Sequence, residues 1–332
     1  MAYRAEKEGK YFIVVGDKKG EEFDSVVDPV FSPDGKTVAY GAEKEGKYFI
    51  VVGDKKGEEF DGVGFPVFSP DGKTVAYAAN KKDKQFIVVG DKKGEEFDDV
   101  VYPVFSPDGK TVAYRAEKKG KEFIVVGKKK GEKFEYVGDP VFSPDGKTVT
   151  YCAKKEGKYF IIVGDKKGEE FVGVWHPVFS PDGKTVVYCA EKVGKWFIVV
   201  GEKKGEEFGD VEYPVFSPDG KTVAYPARKK DKWFIVVGEK KGEKFDYETD
   251  PVFSPDGKTV AYRARKEGKW FIVVGDKKGE EFDEVWKTVF SPDGKTVAYR
   301  AKKEGKYFIV VGDKKGEEFD EVWKPNPVFS PD

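Results

Sequence analysis

The stretch Val30–Tyr40 reads VFSPDGKTVAY, and the same eleven letters begin again at Val67, Val104, Val215 and Val252. The serine of this phrase falls at Ser32, Ser69, Ser106, Ser143, Ser180, Ser217, Ser254 and Ser291, a constant step of 37 residues. A ninth, Ser330, follows after a step of 39, the two additional residues lying in WKPNP. A second phrase, FIVVG or a close variant, occurs nine times from Phe12 to Phe308. The chain is therefore nine copies of one unit, and repetition at this period marks a stacked or ring-forming architecture rather than two or three ordinary domains.

Each unit holds four short segments of strand character: PVFSP, TVAYRA, KYFIVVG and EEFDEV. They are rich in Val, Ile, Phe and Tyr and too short for helices. The run FIVV is apolar on both faces, so the sheet that contains it is covered on both sides. Three connections read as tight hairpins. SPDG puts Pro where a type I turn fixes φ and Gly where the chain turns left-handed. DKKG and EKEG have the same form, and the glycine predicts a hairpin with a bulge. Asp83 and Asp231 replace that glycine in two units, and Asp tolerates the left-handed region better than most residues. The fourth connection has no turn glycine and varies from unit to unit, as in SVVDP, GVGFP, GVWHP and EVWKT. It is expected to cross from the outer strand of one sheet to the inner strand of the next.

A four-stranded antiparallel sheet repeated radially is a β-propeller. The expected fold is all-β, a single nine-bladed β-propeller over residues 1–332. Its blades would span 29–65, 66–102, 103–139, 140–176, 177–213, 214–250, 251–287 and 288–324. The chain begins and ends in mid-unit, so a closing blade would combine one C-terminal strand (327–332) with three N-terminal strands (2–28). Closure removes the unpaired edges that otherwise template aggregation, and it predicts a monomer. Eight blades with one distorted unit is the alternative. The residue before each inner-strand Pro, or its equivalent, favours nine. Asp28, Asp139 and Asp250 recur every 111 residues, as do Tyr102 and Tyr213, the pattern expected if a three-blade segment was copied.

FSPDGKTVAY resembles the SPDG-type, WD-like propeller repeat of the TolB propeller and of prolyl-oligopeptidase-like propellers. The resemblance covers the whole chain and implies four antiparallel strands per blade. It does not carry those proteins' activities: no hydrolase domain with a G-x-S-x-G elbow and no secretion signal accompany the repeats. The near-identity of the units resembles a recently amplified or engineered propeller.

The composition excludes several classes of partner. Sixty basic and 61 acidic residues leave a net charge of −1, with both signs interleaved, so no basic stripe tracks a nucleic acid. No apolar run approaches the length that spans a membrane as a helix. The N-terminus lacks an apolar signal core, so the expected compartment is the cytosol. Cys152 and Cys189 sit at equivalent positions in adjacent units, about 10 Å apart if the sheets stack, beyond the reach of a disulfide. They are expected to be free.

The sequence offers little chemistry. The only histidine is His176, and apart from Ser25 every serine begins an SPD phrase. A nucleophile needs a base beside it, and a metal or phosphate site needs ligand spacings that do not occur here. No catalytic residue, metal site or cofactor is assigned. The primary functional expectation is a non-catalytic scaffold. The alternative is a protein- or peptide-binding propeller that uses its variable face, with Trp175, His176, Tyr213, Trp286, Trp323, Asp28, Asp139 and Asp250 as candidate contacts. All six tryptophans lie between residues 175 and 323. Trp196, Trp233 and Trp270 begin third strands, and packing between blades accounts for them as well as binding does.

Overall fold

A computed structural model of the chain describes residues 2–320, 327 and 329. Among these residues there is no helix, and the strands form nine separate antiparallel sheets, one per repeat. We number them as blades 1–9 in chain order. Blade 1 is Ala2–Lys7, Lys10–Val15 and Lys18–Lys19. Blade 4 shows the complete pattern: Asp99–Phe105, Val112–Glu117, Glu122–Val126 and Lys129–Lys130, paired in that order. The residues fall into two compact units, 1–169 with blades 1–5 and 170–332 with blades 6–9. The closing segment 327–332 lies almost wholly outside the described residues.

The SPDG turn forms as its residues dictate. The Gly35 N–H donates to the Ser32 carbonyl at 2.8 Å with Gly35 at φ +69°, so the chain reverses in four residues. The buried Ser32 hydroxyl donates to Asp34 Oδ1 at 2.7 Å and accepts from the Thr37 N–H at 2.9 Å. The same bonds recur at Ser69, Ser106, Ser143, Ser180, Ser217, Ser254 and Ser291.

The other two hairpins differ from expectation. Glu45 and Gly46 lie between the strands Val38–Lys44 and Lys47–Val52 with φ of +53° and +73°. This is a two-residue type I′ turn, whose twist matches that of the strands, and no bulge is needed. Of the two aspartates that replace its glycine, Asp83 takes φ +60° and Asp231 does not enter the left-handed region. The next reversal is made by Gly16 and Asp17, not by the glycine of DKKG. That glycine has another task. Gly20 donates to the Ile13 carbonyl at 2.9 Å, and a Cβ on Gly20 would lie 2.9 Å from the same oxygen. It is a close-approach glycine against the third strand.

The segment expected as one fourth strand, EEFDEV, divides. Phe23 pairs with Tyr11 of its own blade, whereas Ser25 and Val26 already pair with Glu43 and Ala42 of the next. The blade seam therefore lies at the Phe–Asp step, a few residues before the boundaries expected at Pro29 and its equivalents. The variable connection is not a crossing loop but the first half of the next first strand. In blade 4, Val101 faces Arg115 and Val104 faces Ala113, leaving Tyr102 and Pro103 opposite Tyr114 alone. That is a β-bulge, placed where Pro interrupts the ladder.

The core lies between blades. Ile13 of blade 1 packs with Phe23, Val26, Val38, Tyr40, Ala42, Phe49 and Val51. Equivalent buried clusters join further neighbouring blades within each unit. In each, the fourth-strand Phe contacts a ring of the following blade edge-on, and in most it meets both a Tyr and a Phe, as Phe97 does with Tyr114 at 6.3 Å and Phe123 at 5.6 Å. A lone blade would expose both apolar faces, so stacking is what stabilises each sheet.

Candidate functional site at the first-strand bulge

The candidate residues occupy two different layers. Alternation along the first strand sends the residue before the bulge toward the neighbouring sheets and the bulge residue toward solvent.

Trp175 belongs to the first layer. It pairs with Cys189, and its ring lies across Gly173, where a Cβ would come within 1.7 Å of the indole. The ring stacks on Trp196 at 4.9 Å, and Trp196 is packed on the blade 6–7 core. Trp286 lies 5.8 Å from Tyr307, with the Arg300 guanidinium 3.9 Å above its ring. These two tryptophans are half-buried packing residues. Trp323 lies outside the described residues.

The second-strand residue opposite this position varies with it. Gly138 stands across from Cys152, where a Cβ would lie 2.5 Å from Sγ. Gly64 stands across from Ala78, and Thr249 across from Arg263, whose Nε donates to the Thr hydroxyl at 2.9 Å. Arginines here also reach the next blade: Arg4 donates to Val26 O, Arg115 to Val137 O and Arg263 to Val285 O, at 3.1–3.4 Å. Much of the variation that looked like a binding face is complementary filling of this layer. Both cysteines are free and buried here. Burial pushes the Cys152 thiol up to about 11 and raises that of Cys189 as well, so neither is a ready thiolate.

The second layer is the bulge itself, and it is exposed. Asp28, Phe65, Tyr102 and Asp139 occupy it in the first unit; His176, Tyr213 and Lys287 do so in the second. Phe65 is 66% exposed, Tyr102 62% and Tyr213 48%. Tyr102, His176 and Tyr213 have φ of +51°, +54° and +30°, uncommon for side-chain-bearing residues. The His176 ring lies 4.2 Å from the Tyr213 ring. That contact keeps water from one face of the imidazole, and desolvation holds its pKa below the usual 6.5. Asp250 occupies the same backbone position, in the strand Tyr247–Phe253; its side chain lies outside the described residues. Among the described residues no group of three or more His, Cys, Asp or Glu is arranged to hold a metal ion.

Sequence reading missed the acidic residue after the fourth-strand Phe. Asp24 accepts from Lys10 Nζ of its own blade and from the Glu45 N–H of the next at 2.7 Å. Asp61, Asp98, Asp246 and Asp283 repeat the link. Its signal was the recurrence of Asp at a fixed 21 residues before a left-handed turn residue.

Radially repeatable four-stranded sheets with their core between them, and variable residues gathered on the first strand, define a β-propeller. Residues 3–199, more than half of the chain, match the family described as the TolB beta propeller domain. The chain belongs to that family. No curated protein matches the sequence. Among solved structures, the dihydro-heme d1 dehydrogenase NirN in complex with DHE is similar at 12% identity and a TM-score of 0.45, over 84% of this chain and 72% of that one. The Dos1 propeller is similar at 11% identity and a TM-score of 0.45, over 87% and 92%. TolB from Acinetobacter baumannii is similar at 18% identity and a TM-score of 0.37, over 86% and 78%.

Proposed function

We propose that this chain is a non-catalytic β-propeller scaffold, engineered or recently amplified, and that it is a monomer. The observation that carries the reading is the commitment of its polar groups to structure. Each described SPDG serine hydroxyl is engaged twice within its own turn, and the lone histidine stacks on Tyr213 rather than facing a nucleophile. Light scattering should return the monomer mass of 37.3 kDa. Ester and amide substrates should not turn over; turnover abolished by His176→Ala would refute the reading.

A second reading, binding of a protein or peptide on the variable face, is favoured by one observation. Tyr102, His176 and Tyr213 hold exposed rings on left-handed backbone, a conformation that costs on the order of 1 kcal/mol or more per residue. Selection of a peptide library on the wild type and on a Tyr102→Ser, His176→Ser, Tyr213→Ser variant separates the two. Peptides retained only by the wild type support binding. Recovery of none by either protein supports the scaffold.

A further inference from the structure

At the type I′ turn end of the second unit, three consecutive blades place a cation beside an aromatic ring: Arg228 pairs with Trp233, Arg265 with Trp270 and Lys302 with Tyr307. The outer two cations already have carboxylate partners across the sheet. Arg228 bonds Asp210 at 3.2 Å, and Lys302 lies 3.9 Å from Glu284. At the middle blade the first-strand residue opposite the cation is Tyr247 instead. Among the described residues Arg265 has no ion pair. Asp246, close in sequence to Tyr247, is engaged by Lys232 Nζ and the Glu267 N–H.

The surroundings of Arg265 are aromatic. Its guanidinium lies 5.9 Å from the Trp270 ring centroid. The Tyr247 ring stands edge-on to Trp270 at 5.7 Å and to Trp233 at 6.3 Å. Tyr247 is 41% exposed, and Arg265 is exposed beside it. The result, among the described residues, is a charged fork with no carboxylate at ion-pair distance, Asp246 acting on it only from farther off, set against an accessible aromatic surface that is fixed by its neighbours.

We propose that Tyr247, Arg265 and Trp270 form a recognition point for a peptide segment carrying a carboxylate next to an apolar side chain. The guanidinium fork matches the two oxygens of a carboxylate. The Tyr247 ring supplies apolar contact at small entropic cost, because packing against two indoles already orders it. A nucleic acid strand fits less well, since tracking its phosphates needs a line of free cations and the flanking Arg228 and Lys302 are paired. The inference rests on the binding reading but names a place separate from the bulge, so the two can fail independently.

The test is a calorimetric or NMR titration with the peptide acetyl-Gly-Phe-Glu-Phe-Gly-amide and with its Glu-to-Gln counterpart. The glutamate peptide should bind saturably. The glutamine peptide, and the Arg265→Gln variant, should bind at least about tenfold more weakly, and Tyr247→Ala should also weaken binding. Arg228→Gln should bind within about twofold of wild type, and so should the triple bulge variant. Arg265→Lys, which keeps the charge but not the fork, should fall between. Equal affinity for both peptides, undiminished binding by Arg265→Gln, or no saturation up to roughly 10 mM would overturn the proposal. So would tighter binding of oligothymidylate that Arg228→Gln also weakens, which would assign the rim to single-stranded nucleic acid.

Discussion

Val193 stands at φ +52° with 85% of its surface exposed, in the turn position that Glu45 occupies in blade 2. A β-branched residue in the left-handed region is sterically strained, and here no burial offsets the strain. Val193→Asn should therefore stabilise the protein by about 1 kcal/mol, because Asn tolerates that region. Urea unfolding of both proteins checks it; an unchanged or lower midpoint would show that the turn relaxes around valine. The residue scale is also where sequence reading was most literal. Ser–Pro–Asp–Gly specifies its own hydrogen bonds, so the turn forms as written. Gly20 was misread because spacing alone cannot distinguish a glycine needed for positive φ from one needed for close approach to Ile13.

Among the elements, the first strand departs most from expectation. SVVDP looked like a connection because it has no turn glycine and varies from unit to unit. The backbone instead keeps its ladder on both sides of a bulge. Nothing local announces that Val26 pairs with Ala42, because that partner is set by the next blade's second strand. The element that ties blades together is the fourth-strand Phe, contributed by one blade and buried by the next. Phe97 is 1% exposed and touches two rings of blade 4. Phe97→Ala should cost about 3–5 kcal/mol through the cavity it leaves, and Phe97→Leu clearly less. Chemical denaturation measures both. A loss below about 1 kcal/mol for the alanine variant would mean the seam collapses to fill the space.

Across the molecule, carboxylates link blade to blade within each unit, and this governs the response to acid. Asp24, Asp246 and Asp283 have lowered pKa values chiefly because lysines donate to them; for Asp61 and Asp98 the chief cause is a backbone N–H of the next blade. The SPDG aspartates are lowered by their serine hydroxyls. A depressed folded-state pKa gives stability that is complete above the unfolded value, about 3.9 for Asp, and is lost as pH falls through the folded value. His176, also depressed, favours the neutral form and erodes stability as pH drops below about 6.5. Urea midpoints should thus decline slightly from pH 6.5 and steeply below about pH 4. A midpoint that holds constant to pH 3 would refute the linkage.

The repeated words by themselves determined strand, turn and period, because each is a short-range matter of φ, a missing N–H or an alternating apolar run. They also determined that the blades must stack, since no single sheet covers FIVV. Only the tertiary structure decided where one blade ends and the next begins. It also decided which variable residues fill the layer between sheets and which remain in solvent. Those choices depend on partners in the neighbouring repeat, and nine nearly identical repeats carry no local mark of which neighbour a side chain will meet.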